Sequence, residues 1–123
     1  MGTQPTIYNS EKPDALFAGG YADYPATTSG LLDAVATGTL LRGTALKRVG
    51  VDTFSPVLAA EDVVHAVLAA DFEAGEGVSI AVYQKGQFNR NAVIFPTGKT
   101  FADYALKSAD FGIYFENSIK SGV

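Results

Sequence analysis

Residues 63–83 read Val-Val-His-Ala-Val-Leu-Ala-Ala-Asp-Phe-Glu-Ala-Gly-Glu-Gly-Val-Ser-Ile-Ala-Val-Tyr, and this stretch decides the fold class. At its C-terminal end Val78, Ile80 and Val82 alternate with Ser79, Ala81 and Tyr83. Side chains of a strand point to opposite faces in turn, so this period of two marks a half-buried strand. At its N-terminal end Val63 to Ala70 is largely apolar with no period, which fits a buried strand or a buried helical segment. Its valines and the β signals around it favour the strand. Between the two, Glu73-Ala74-Gly75-Glu76-Gly77 sets two carboxylates close together, a pattern compatible with acid–base work or calcium. Its acidic, glycine-rich character between two strands reads instead as a solvated loop.

Working toward the C-terminus, Lys85-Gly86 follows the clear strand and Gln87-Phe88-Asn89-Arg90 resumes an extended pattern. Ala92-Val93-Ile94-Phe95 then closes the segment at Pro96. The arrangement predicts a hairpin around Gly86, where glycine takes positive φ at no steric cost. A helix is predicted next. Thr100 is a good N-cap, and Asp103 at the third helical position answers it and favours the positive end of the helix dipole. Phe101, Tyr104, Ala105 and Ser108 share one face, which Leu106 and Ala109 broaden. Gly112 stops the helix, and Ile113-Tyr114-Phe115 reads as a last strand.

Working toward the N-terminus, Val49 to Val57 is turn-rich, broken by Gly50, Asp52 and Ser55-Pro56. Thr39-Leu40-Leu41-Arg42 is a further strand candidate, ended by Gly43. Residues 1–20 read differently. They carry Pro5, Pro13, Asn9, Ser10, Glu11, Lys12 and the pair Gly19-Gly20, and only Ile7, Tyr8, Leu16 and Phe17 offer much area to bury. Such a stretch does not by itself offset an ordering entropy of about 1–2 kcal/mol per residue. Two readings stay open: a disordered terminus, or an arm that orders on a partner with Ile7-Tyr8 as a strand-like anchor. The expected organisation is a flexible arm over 1–20 and one compact, mainly β domain with one short helix over 21–123.

Composition narrows the function. The chain has 123 residues and no cysteine, which excludes disulfides, thiolate nucleophiles and zinc–thiolate sites. One domain of this size buries enough apolar surface to fold without staples. The net charge is -4, and the nine Lys and Arg are spread from Lys12 to Lys120. Nucleic-acid binding shows as a basic stripe that neutralises phosphates, so no nucleic-acid partner is expected. No apolar run reaches the roughly 18 residues of a membrane helix, and Met-Gly-Thr-Gln-Pro-Thr lacks the charged start and apolar centre of a secretory signal. No membrane partner is expected either.

The search for chemistry finds little. His65 is the only histidine and lies inside the apolar run, where a packed residue with a satisfied nitrogen is the ordinary reading. Asp62, His65 and Asp71 as three metal ligands would fall irregularly on two faces of a strand, whereas metal sites want several ligands at short spacing. No nucleophile elbow, Walker loop, dinucleotide fingerprint or Cys-x-x-Cys is present. We expect no enzyme, no catalytic residue, no metal and no cofactor. Six Tyr and eight Phe with no Trp are more informative. Tyr21 and Tyr24, beside Pro25, suit an interface, since tyrosine offers area at low entropy cost; they equally suit a place tucked onto the domain surface.

The stretch from Val64 to Pro96 resembles the head decoration proteins of lambda-type tailed phages. It runs from His-Ala-Val-Leu-Ala-Ala-Asp through Val-Ser-Ile-Ala-Val-Tyr-Gln-Lys-Gly-Gln-Phe-Asn to Val-Ile-Phe-Pro. In that family an apolar strand precedes a loop, then come a strand, a Tyr-x-x-Gly-x-Phe turn and a hydrophobic segment ending in Pro. Here Tyr83, Gly86 and Phe88 supply the turn. The family's short helix and brief terminal strand match Thr100 to Phe115, and its early strand matches Gly38-Thr39-Leu40-Leu41. The similarity covers about two-thirds of the chain. The sequence departs from the pattern over 49–62, which is longer and richer in acid.

The resemblance implies a β-clip-like small barrel or sandwich with an extended N-terminal arm. It implies a structural virion protein, made in the host cytoplasm, that sits as a homotrimer on the outer surface of the expanded capsid. There it occupies three-fold and quasi-three-fold positions and resists the pressure of packaged DNA. Its partners are the major capsid protein and further copies of itself. The arm faces the shell, with Thr6, Ile7 and Tyr8 as the residues that pair with a capsid strand. Two other readings remain: a ligand-binding module or enzyme on the same scaffold with a pocket around His65 or at a subunit junction, and another virion component such as a tail or head-fibre protein.

Overall fold

The computed structural model describes residues 16–18, 26–33, 38–74 and 78–116 of the chain. They form nine strands and one helix: β1 (Thr28–Leu32), β2 (Thr39–Leu40), β3 (Ala45–Gly50), β4 (Thr53–Pro56), β5 (Ala66–Leu68), β6 (Phe72–Glu73), β7 (Ser79–Tyr83), β8 (Gly86–Asn89), α1 (Phe101–Ala109) and β9 (Ile113–Glu116). Over the described residues the protein is therefore mainly β with one short helix.

Five strands close a small barrel in the order β1-β4-β3-β5-β7. All neighbours run antiparallel except β1 and β4, which pair in parallel at Leu31–Thr53 and Leu32–Phe54. Leu32, Leu46, Phe54, Ala66, Leu68, Ile80 and Val82 fill the interior. The alternation over 78–83 does what period two predicts, because Ile80 and Val82 are buried while Ser79 is exposed. On β5 all three residues are buried. Ala66 and Leu68 belong to the barrel interior and Val67 to a second core outside it. A strand covered on both faces reads as an unbroken apolar run rather than an alternating one, which explains the missing period over 63–70. Only Ala66–Leu68 of that run pairs as strand.

The second core lies between the outer wall of the barrel, α1 and a two-stranded parallel sheet of β8 and β9. Phe88, Val93, Tyr104, Ile113 and Phe115 meet Val57, Val64 and Val67 there. The helix begins where the sequence predicts, with the Asp103 carboxylate accepting the Thr100 N–H at 2.8 Å. It ends before Gly112, whose φ of 82° suits glycine. Tyr104 and Ser108 carry its buried face. Leu106, expected to broaden that face, is instead exposed, because the layer beneath a nine-residue helix is only one strand pair wide.

Five further expectations change. The predicted hairpin around Gly86 does not form. Both edges of β7 are already taken by β1 and β5, so the chain leaves the barrel at Gly86, φ 146°, and β8 pairs in parallel with β9. Val49 to Val57 belongs to a β3–β4 hairpin that turns at Val51-Asp52 and shifts register between Arg48 and Gly50; Ser55 and Pro56 lie within β4, with Pro56 at its last position. Of Thr39–Arg42 only Thr39–Leu40 is strand, paired with β6, and Ala92–Phe95 contributes only a bridge between Ile94 and Thr44. Finally, Leu16, Phe17 and Ala18, assigned to the arm, are buried in the domain. The folded domain thus takes in residues placed before its expected boundary at 20/21.

Candidate functional site

The first part of the candidate site is the root of the N-terminal segment. Leu16–Ala18 lies antiparallel along β8: Ala18 donates its N–H to the Gln87 carbonyl at 2.9 Å, and Asn89 donates to the Leu16 carbonyl at 2.8 Å. The segment is in effect a third strand beside β8 and β9, and strand addition of this kind satisfies edge groups that would otherwise face water. Phe17 makes the attachment firm. Its ring stacks on Phe88 at 5.3 Å and meets the edge of Tyr83 at 5.0 Å, the offset and T-shaped arrangements that aromatic quadrupoles favour.

Arg42 closes this cluster. Its guanidinium lies 5.9 Å from the ring centres of both Phe17 and Tyr83. It also donates to the Ala69 carbonyl at 3.0 Å and to the Tyr83 hydroxyl at 3.3 Å. The Arg42 backbone N–H in turn donates to the Asp71 carboxylate at 2.7 Å. The three turn residues singled out in the sequence thus have distinct places. Tyr83 and Phe88 form the aromatic seat of Phe17, while Gly86 turns the chain out of the barrel and donates its N–H to the Gly112 carbonyl at 2.9 Å.

The second part is an apolar groove of about 380 Å³ between β2, the end of β4 and the 94–97 segment. Thr44 and Ala45 lie at its base, and Leu41 (51% exposed), Leu58 (66%) and Ile94 (40%) stand along it. The turn that carries Leu58 is held by one carboxylate. Asp62 accepts the N–H groups of Leu58 at 2.8 Å and Ala59 at 2.9 Å, and pairs with Lys47 at 3.2 Å. Burial pulls the Asp62 pKa up, but these hydrogen bonds and the Lys47 charge outweigh it and hold the carboxyl below its ordinary range.

The candidate chemistry does not assemble. His65 accepts the Arg48 N–H at Nδ1, 3.2 Å away, and its ring lies 4.7 Å from Phe111. Burial and the nearby Arg48 charge lower its pKa. Asp62 is committed to its turn and Asp71 to Arg42, so the imagined trio with His65 stays apart. Among the described residues no group of three or more His, Asp and Glu gathers as a metal site. Glu73 accepts the Thr39 hydroxyl at 2.7 Å, and Glu76 lies outside the described residues. All three arginines sit over aromatic rings: Arg48 is 5.2 Å from Phe54 and Arg90 is 4.5 Å from Phe101.

Thr6, Ile7, Tyr8, Tyr21 and Tyr24 also lie outside the described residues. Sequence reasoning missed Phe17, Arg42 and the groove. The signal for Phe17 was present, since a large aromatic in a polar stretch has little reason to stand in water; nothing local marked Arg42 as its partner. Among the described residues no helix is long and apolar enough to cross a membrane. No protein-family profile, curated protein or solved structure matches the chain.

Proposed function

We propose that this chain is a structural virion protein that decorates the outside of an expanded tailed-phage capsid. It acts as a homotrimer bound to the major capsid protein at three-fold and quasi-three-fold positions, and stabilises the shell against internal pressure. One observation carries the proposal beyond the resemblance in sequence. The N-terminal segment is rooted in the domain by strand addition, with Phe17 locked between Tyr83, Phe88 and Arg42. A rigid root lets a rigid body present the preceding residues, Thr6, Ile7 and Tyr8 among them, to a capsid strand.

Trimerisation gives such an arm its affinity. With one arm binding at about 10 μM and its neighbours at an effective concentration near 1 mM, each further arm adds about a hundredfold. The test is co-sedimentation with expanded and unexpanded shells of the phage's own major capsid protein. Saturable binding to expanded shells only, in multiples of three per three-fold site, is expected; binding to neither overturns the proposal. Truncation must stop at residue 15, because Leu16–Ala18 belongs to the core. Removing residues 1–15 is expected to leave the fold intact and abolish shell binding.

A further inference from the structure

We infer that the pocket between the end of β8, the 91–99 segment and the start of α1 binds a small aromatic carboxylate, with Arg90 and Lys99 holding the carboxylate and Phe95 and Phe101 the ring. The pocket encloses about 380 Å³, and Arg90, Asn91, Val93, Phe95, Lys99 and Phe101 are among its lining residues. That volume lies at the small end of ligand pockets, about 300–1,000 Å³, and suits one ring with its charged group. The pocket shares only Phe95 with the apolar groove.

Unanswered charge is the first argument. Among the described residues four cationic side chains are half-buried: Arg42, Lys47, Arg90 and Lys99. Arg42 donates to the Ala69 carbonyl and the Tyr83 hydroxyl, and Lys47 pairs with Asp62. The side chains of Arg90 and Lys99 have no carboxylate or other hydrogen-bond acceptor among the described residues. A shortage of acid does not explain this, since the chain has thirteen Asp and Glu against nine Lys and Arg. A cation drawn partly out of water loses hydration that an opposite charge makes good. Two such cations at one pocket leave it short of an anion.

Shape is the second argument. The Arg90 guanidinium lies 4.5 Å from the centre of the Phe101 ring. Stacking uses the face of a guanidinium and leaves the N–H groups of its edge free to take a carboxylate in bidentate fashion. The Arg90 backbone N–H donates to the Glu116 carbonyl at 2.9 Å, which fixes the base of the side chain. Phe95 is fixed too, stacked on Tyr104 at 5.4 Å and set edge-on to Phe115 at 5.2 Å. With the buried Val93 these rings make an apolar floor that an inorganic anion would leave uncovered. The N-terminus of α1 is not the attraction, because Asp103 already accepts the Thr100 N–H. That nearby carboxylate also favours a monoanion over a phosphate dianion. The assignment does not rest on the shell-binding proposal.

The test is titration of the isotope-labelled full chain with benzoate, acetate and benzyl alcohol, followed by amide chemical shifts in NMR. Benzoate is expected to saturate with a Kd on the order of 1 mM, moving the amides of residues 90–93 and 99–101 most. Acetate carries the charge without the ring, and benzyl alcohol the ring without the charge. Each is expected to bind about tenfold more weakly or worse. Arg90→Gln and Lys99→Gln are each expected to weaken benzoate by about fivefold or more and to leave benzyl alcohol unchanged. Lys85→Gln, at an exposed position outside the pocket, is expected to change neither. Lys99 makes no side-chain contact that the fold needs, so its variant gives the answer even where Arg90→Gln unfolds the chain. Absence of saturation by benzoate, shifts centred on other residues, or a comparator that binds as well as benzoate overturns the inference. Benzoate binding that is indifferent to Lys99→Gln also overturns it. No shell is present in the experiment, so failure here leaves the shell-binding test untouched.

Discussion

The barrel interior and the layer outside it are both apolar cores, yet they are built on different terms. The barrel encloses Leu32, Leu46, Phe54, Ile80 and Val82 by strand alternation, and every wall is a hydrogen-bonded strand. The outer core joins Leu16 and Phe17 to Phe88, Tyr104, Ile113 and Phe115 through a helix, a two-stranded sheet and one bridge. Closure makes the barrel hard to open in part. The outer layer has a margin, Leu16–Ala18, whose contacts include backbone hydrogen bonds to Gln87 and Asn89 and an aromatic seat for Phe17. The comparison teaches where a rigid domain permits local release: at the margin of the open layer, not in the closed one.

Five experiments bear on this contrast, the largest effect first. Phe54→Ala empties the barrel centre and is expected to cost about 3–5 kcal/mol of global stability in urea unfolding. Phe17→Ala removes a ring of the same size. Its cost is expected to appear mainly as loss of amide protection over 16–18 and 87–89 in hydrogen exchange, with a smaller shift in the global midpoint. Equal global losses would mean that the two cores open as one unit.

Gly30→Ala probes the barrel by crowding rather than by emptying. A Cβ there would lie 2.7 Å from the Phe54 ring, which is fully buried. A loss of about 1–3 kcal/mol is expected, and a neutral outcome would show that the barrel interior yields more easily than its closure implies. The fourth probe is pH. Because the folded state holds the His65 pKa below its ordinary 6.5, the unfolded chain takes up the proton first. Stability should therefore fall as pH drops below about 6.5 and level off once the folded form is protonated too. His65→Gln is expected to remove that step, seen in urea midpoints between pH 7.5 and 5.

The smallest effect is expected inside the outer core. The Tyr104 hydroxyl is buried with no hydrogen-bond partner among the described residues, while its ring stacks on Phe95 at 5.4 Å. Tyr104→Phe keeps the stack and removes an unsatisfied polar atom, so thermal melts should show no loss and a slight gain. A marked loss would reveal a partner for that hydroxyl.

Local patterns made much of this protein legible. Alternation over 78–83 marked β7, the capping pair Thr100 and Asp103 with Gly112 bounded α1, and Ile113–Phe115 marked β9. Each depends on residues within a few positions of one another, and the backbone rules that link them act at that range. The candidate site was legible only in part: Tyr83, Gly86 and Phe88 were singled out, but not what they hold.

Tertiary structure decided the rest, for reasons of range and competition. Whether β7 pairs with β8 or with β1 and β5 depends on residues as far apart as Thr28 and Val82, and the closed barrel outcompetes the local hairpin at Gly86. Leu16 and Phe17 look like arm residues because their neighbours in sequence are polar; their burial comes from Gln87, Phe88 and Arg42, which the chain brings to them only once folded. The groove of Leu41, Leu58 and Ile94 draws on three separate segments in the same way. Local sequence determines which elements form, because hydrogen-bond geometry and side-chain period act between near neighbours. Which edges remain open is decided only when distant elements compete for them.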